Sequence, residues 1–214
     1  MTTNDLARRI VVAAALVSAA CGARSDARSG DAGNPLGLRG RVLPEPLPKP
    51  ALVLTDTQGR PFDFRRATDG YLTLLYFGYT YCPDVCPVQM ANLGAVLAQL
   101  APSVADRIRV VFVTTDPARD TPARLRQWLD NFDPSFIGLT GDTAQVAAAE
   151  RALLLPTSVI GPADSSGAYQ VGHAAAVVAF TPDNRARVLY PFGIRQADWA
   201  HDLPKLLTMK WPDS

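Results

Sequence analysis

Three almost unbroken apolar runs of strand length dominate the chain: residues 72–77 (LTLLYF), 108–113 (IRVVFV) and 175–180 (AAVVAF). A strand that is apolar on successive positions must be covered on both faces. Between and after these runs the apolar residues recur at helical spacing. Met90, Leu93, Val96, Leu97 and Leu100 mark one helix over 88–100. Leu125, Trp128 and Leu129 mark a second, with Thr121 as N-cap and Pro122 at its first position. Asp142 is placed to cap a third that reaches about residue 153. A last helix is expected over 196–207. Residues 51–56 and 62–64 read as a short hairpin, 136–139 as a short strand, and 187–190 as a strand joined to 175–180 through Pro182-Asp183-Asn184. Strands alternating with helices require a three-layer α/β sandwich with a mixed central sheet. Residues 155–172 break the pattern and are expected to form an irregular insertion.

The amino-terminal part is of a different kind. Arg8 and Arg9 precede an eleven-residue apolar run, 10–20, too short for the ~20 helical residues that span a hydrocarbon core. A basic start, a short apolar stretch and small residues at its end make residues 1–20 a secretory signal. Cys21 follows at once and resembles the acylated first residue of bacterial lipoproteins, although Ser18 stands where that motif prefers leucine. An ordinary cleaved signal and an uncleaved anchor are the alternatives. Each places the protein outside the cytoplasm, and lipidation would hold it on the outer face of the cell membrane. Residues 21–50, rich in Gly, Ser, Asp and Arg and then alternating in proline (PEPLPKP), read as a flexible tether ending in polyproline II. Residues 51–214 are left for one compact domain.

Composition narrows the chemistry. Twenty-one basic against twenty acidic side chains give no footprint for nucleic acid. Three cysteines are too few for a disulfide scaffold or a four-cysteine zinc site. With Cys21 in the leader, Cys82 and Cys86 remain, in GYTYCPDVCPVQ directly after the first apolar run. Sites in such sheets form at the carboxyl ends of strands. Four helical steps separate Cα atoms by about 6 Å, so both sulfurs can share the face of a helix start. There the helix dipole favours thiolate. The spacing alone suits a soft-metal site, a redox pair or a structural disulfide. Of the two histidines, His201 lies in a polar stretch (ADWAHD) and reads as a solvated face residue. His173 precedes the run 175–180 at the sheet edge nearest the cysteine turn and is a candidate third ligand. Asp116 ends a strand near the same edge, either as a turn residue or as a group that tunes the site or meets a partner. Asp84 is expected to cap the helix start, with a residue that faces a partner as the alternative. Tyr79 and Tyr81 are candidates for a docking surface, Tyr79 equally for packing, and Trp128 and Trp199 for the core.

GYTYCPDVCPVQMANL resembles the Sco/SenC copper-delivery family, whose signature runs GYTxCPDxCPxxLxxL. Residues 113–117 (VTTDP) with 119–122 (RDTP), 136–141 (FIGLTG) and 169–173 (YQVGH) resemble further blocks in the same order. The resemblance covers about residues 40–207 and implies a thioredoxin-like fold with an insertion. It implies copper, as Cu(I) with Cu(II) left open, held by Cys82, Cys86 and His173. It also implies work on the binuclear CuA centre in the copper subunit of cytochrome c oxidase, as a metallochaperone or as a thiol–disulfide oxidoreductase with Cys82 and Cys86 as redox pair. A copper or redox sensor is the third reading. Other copper chaperones or thioredoxin-like reductants are implied as further partners. Gly172 stands where many members carry aspartate, which removes a carboxylate beside the histidine without removing a ligand.

Overall fold

The computed structural model describes residues 36–211. Cys21, the signal segment and the first part of the tether lie outside them. Ten strands and six helices follow one another as β1 (Arg41–Pro48), β2 (Val53–Asp56), β3 (Pro61–Asp63), α1 (Phe64–Ala67), β4 (Leu72–Gly78) and α2 (Val85–Gln99). Next come α3 (Pro102–Ala105), β5 (Ile108–Thr114), α4 (Pro122–Leu129), β6 (Ile137–Thr140), α5 (Thr143–Ala152), β7 (Val159–Ile160), β8 (Val171–Gly172), β9 (Ala176–Thr181), β10 (Arg185–Pro191) and α6 (Gln196–Thr208).

Eight strands form one mixed sheet in the order β1-β10-β9-β4-β5-β6-β2-β3. β4, β5 and β6 run parallel, and the flanking pairs are antiparallel. β4 is central, and its alternation shows why the run is apolar throughout. Leu72, Leu74 and Tyr76 pack with Met90 and Leu93 of α2, Leu125 of α4 and Trp199 of α6. Leu75 and Phe77 point into the other layer, with Phe64 of α1 and Val146 and Ala149 of α5. Both faces are therefore covered, and the expected three-layer sandwich is what forms.

The local signals behave as chemistry predicts. Thr121 accepts from Arg124 N at the start of α4, and Asp142 forms a capping box with Gln145 at the start of α5. Two single-turn helices, α1 and α3, carry too few residues for a periodic signal.

The end of the expected tether behaves otherwise. Residues 41–48 are extended, as their prolines demand, but they are an edge strand of the sheet. β1 pairs with β10 in two short stretches separated by an irregularity between Val42 and Leu47. Prolines fit there because an edge strand leaves one row of groups unpaired. The domain thus begins well before residue 51. Trp199 is buried as expected, whereas Trp128 is half-buried, tilted on Phe112 and edge-on to Phe132. No helix among the described residues is long and apolar enough to cross a membrane.

Candidate metal centre

The site stands at the carboxyl end of β4. The strand ends on Gly78, and a side chain there would collide: a Cβ would sit 2.9 Å from Cys86 Sγ and from the Tyr76 ring. Glycine is what lets the sulfur of Cys86 reach the sheet. The turn that follows is pinned by Asp120, a fully buried carboxylate. It accepts from Thr80 N at 2.9 Å, from the Thr80 hydroxyl at 2.6 Å and from the Thr114 hydroxyl at 2.6 Å. Sequence reasoning did not single out Asp120. Its only signal was its place in the RDTP block.

The cysteines are arranged differently from the expectation. Only Cys86 belongs to α2; Cys82 lies in the turn before it. Pro83 and Asp84 form the bend that precedes the helix, which delays its start to Val85. The effect on Cys82 is the anticipated one by another route, since the N–H groups of Asp84 and Cys86 donate to its sulfur, Cys86 N at 3.4 Å. Cys82 Sγ occupies the place of a capping acceptor. Asp84 stands at the N-cap position, but its side chain makes no capping bond and is exposed.

His173 is brought over the cysteines by the insertion. β7 and β8 form a two-stranded ribbon of their own, and His173 follows β8 directly. Its Nε2 lies 3.3 Å from Cys86 Sγ. The rings of Tyr76 and Tyr79 stand edge-on to it, each at 5.8 Å between centroids. One ligand atom from each of Cys82, Cys86 and His173 lies within 4.8 Å of the others. Three ligands around a metal at bonds of about 2.3 Å are separated by about 4 Å, so the cluster has the size of a three-coordinate site. Cys86 is fully buried, Cys82 nearly so, and His173 half-buried, so the histidine is the most accessible of the three ligands.

Neither Cys82 nor Cys86 is in a disulfide. They divide one proton unequally. The hydrogen bond from Cys86 holds Cys82 down to about 4, with support from the Asp84 and Cys86 N–H groups and His173. That same bond, together with burial, pushes Cys86 far up. At neutral pH the pair is one thiolate and one thiol.

Of the remaining candidates, Asp116 is fully buried. The Tyr169 hydroxyl donates to its Oδ1 at 2.8 Å, and Arg119 Nε pairs with its Oδ2. It touches neither cysteine nor His173, so it acts on the insertion that carries the histidine. Tyr79 is packed and Tyr81 is half-exposed. His201 is not part of the cluster and is not a freely solvated residue. Its Nδ1 lies 2.7 Å from buried Asp202, which also accepts from Arg39 N, Gly40 N and the Tyr190 hydroxyl.

The SCO1/SenC family profile matches residues 47–208. The chain belongs to that family. Its fold matches copper-bound ScoI of Bradyrhizobium japonicum with a TM-score of 0.65 and 31% identity, covering 76% of this chain and 98% of that one. Apo Sco1 of Thermus thermophilus gives a TM-score of 0.70 at 31% identity, covering 79% of this chain and 97% of that one. The bovine mitochondrial SCO2 homologue is 38% identical over 134 residues, 61% of this chain and 48% of that protein. The chain therefore spans about half the length of that relative. The thioredoxin-like sandwich with an insertion is the architecture of this SCO1/SenC domain.

Proposed function

We propose that this SCO1/SenC protein is an extracytoplasmic copper metallochaperone that delivers copper to the CuA centre during cytochrome c oxidase assembly. The observation that carries the reading is the convergence of Cys82, Cys86 and His173 within 4.8 Å. Two sulfurs and an imidazole are soft and borderline donors that suit Cu(I). Copper is bound in the B. japonicum ScoI structure. Loading is a proton exchange: Cys82 is already thiolate, Cys86 gives up its proton, and His173 completes the set through Nε2. Delivery is ligand exchange. A three-coordinate ion on the open side of the fold is accessible to the thiolates of the oxidase copper subunit, which replace its ligands stepwise. Lipidated Cys21 would keep the domain on the outer face of the cell membrane beside that subunit, and mass analysis of the mature amino terminus tests the anchor.

The decisive experiment is metal analysis of reduced wild type against Cys82→Ser, Cys86→Ser and His173→Ala with a panel of metals offered. Copper is expected to be retained selectively, and His173→Ala is expected to bind it much more weakly while its thiols still cycle. Unchanged copper affinity in His173→Ala overturns the three-ligand reading.

The depressed Cys82 thiol favours a second reading, reduction of a disulfide in the oxidase copper subunit. Cys82 thiolate would attack one sulfur and form a mixed disulfide. Cys86 would lose its proton and displace the partner's thiolate, leaving Cys82–Cys86 oxidised and the partner reduced by two electrons. That activity needs both cysteines and not His173, so a reductase assay on His173→Ala separates the readings.

A further inference from the structure

His173 sits on the one part of the site that the main sheet does not hold. The arm of residues 155–175 contributes only the β7–β8 ribbon, which makes no ladder with the eight-stranded sheet. His173 itself is weakly tied. Its Nδ1 faces the carbonyl of the adjacent Ala174 at 3.3 Å, and Nε2 faces the cysteine. Something else must set where the imidazole stands.

The arm is attached along its length, from Leu155 N, which donates to Glu150 O at 2.9 Å, to Val171, which is buried in the core. At its start, Ser158 N and hydroxyl donate to buried Glu150 at 2.9 and 2.5 Å. At its end, Phe192 N donates to Ala175 O at 2.8 Å. Near the histidine, Val171 N–H donates to the Tyr79 hydroxyl. A further attachment is Tyr169, four residues before His173. Its hydroxyl donates to Asp116, and the guanidinium carbon of Arg119 lies 3.5 Å over its ring. Arg119 reaches further: it also stands 4.8 Å over the Tyr81 ring and 5.9 Å over the Tyr79 ring. Those two tyrosines belong to the turn that leads into Cys82. One guanidinium, charge-paired to a fully buried aspartate, therefore contacts aromatic rings from both halves of the site. Planar stacking and a fixed fork make arginine suited to such a junction, where lysine would supply charge without the plane.

We infer that Tyr169 and Arg119 are positioning residues, a latch that fixes the histidine arm at bonding distance from the cysteine turn. Rigid attachment of a ligand-bearing segment determines how much ordering remains to be done when a metal binds. The latch rests on the copper reading for its purpose, but the placement of His173 is measurable without metal.

The test uses Tyr169→Phe, which keeps the ring and removes the bond to Asp116, and Arg119→Lys, which keeps the charge and removes the stack. In metal-free protein, nuclear Overhauser contacts between the His173 and Tyr79 rings are expected in wild type and weakened in both variants. With copper, each variant is expected to lower Cu(I) affinity roughly tenfold. In a His173→Ala background the same substitutions are expected to change affinity by less than about twofold, since the latch acts through the histidine. Equal losses in both backgrounds would mean general destabilisation and overturn the inference, as would intact ring contacts with unchanged affinity. If His173→Ala itself binds copper as wild type does, the three-ligand reading falls, and the ring contacts alone decide the latch.

Discussion

Cys86 Sγ and His173 Nε2 lie 3.3 Å apart although 87 positions separate them in sequence. The contact closes a triangle with one buried thiol, one thiolate and one half-buried imidazole. Its chemistry comes from an asymmetry between the cysteines. Cys86 is sealed under Gly78 and the sheet, while Cys82 stands in the turn and collects N–H donors from the helix start.

That asymmetry predicts thiol reactivity. With Cys82 held to about 4, its alkylation rate should be flat from about pH 5.5 to 8, where an ordinary thiol of 9.0 gains reactivity about tenfold per pH unit. Cys86 should react far more slowly, being buried and pushed up by its bond to Cys82. Because the Cys86 hydrogen bond is the largest cause of the depression, Cys86→Ala should raise the Cys82 value by more than about one unit. A pH–rate profile with iodoacetamide and mass-spectrometric assignment reads all three. A rate in wild type that climbs through pH 8 like a free thiol's would contradict the arrangement.

Much of this site was legible because short-range rules coincided with tertiary ones. The runs that became β4, β5 and β9 could be nothing but covered strands, and the turn after β4 marked the functional end of the sheet. Cys82, Cys86 and His173 were the cysteines and the histidine left once Cys21 and His201 had been set aside. What escaped notice depended on contacts between distant segments. Asp120 looks like any turn aspartate until Thr80 and Thr114 are seen to converge on it. Tyr169 was a letter in a block until its hydroxyl met Asp116. Residues 41–48 read as a tether because proline spacing reports extended backbone and cannot report a neighbouring strand. The placement of Cys82 on the helix failed for a local reason: the bend at Pro83 and Asp84 moves the first helical residue to Val85.

Gly78 offers a steric prediction. In Gly78→Ala the new methyl would stand 2.9 Å from Cys86 Sγ and Tyr76 Cε1 and 3.0 Å from Phe112 Cε2. Backbone and rings are all buried, so none can swing away into solvent. Overpacking of this kind costs about 1–3 kcal/mol. Urea unfolding should show that loss at an unchanged slope. The site should also report it, because displacement of Cys86 weakens its bond to Cys82 and restores part of the normal pH dependence of Cys82 alkylation. Wild-type stability in Gly78→Ala would show that the sulfur does not need the approach the glycine allows.

Lys49 predicts how stability varies with pH. It is fully buried between the rings of Phe64 and Phe180, with its Nζ donating to Thr68 O, Thr68 Oγ1 and Thr73 Oγ1. Burial is the main reason its value falls from 10.5 to about 8. A lowered lysine disfavours the protonated fold, so the sign is fixed. Below about pH 8 the folded and unfolded chains both carry the proton, and the fold bears the full cost of the buried charge. Between about 8 and 10.5 the unfolded chain keeps a proton that the folded chain has lost, and stability rises with pH. Above 10.5 neither holds it, and the gain, on the order of 3 kcal/mol at 1.36 kcal/mol per unit, is complete. To isolate the Lys49 contribution, the measurement is the difference in unfolding free energy between wild type and Lys49→Met from pH 7 to 10.5. That difference should shift toward wild type as pH rises. A difference that is flat over the range would mean that Lys49 keeps its proton inside the fold.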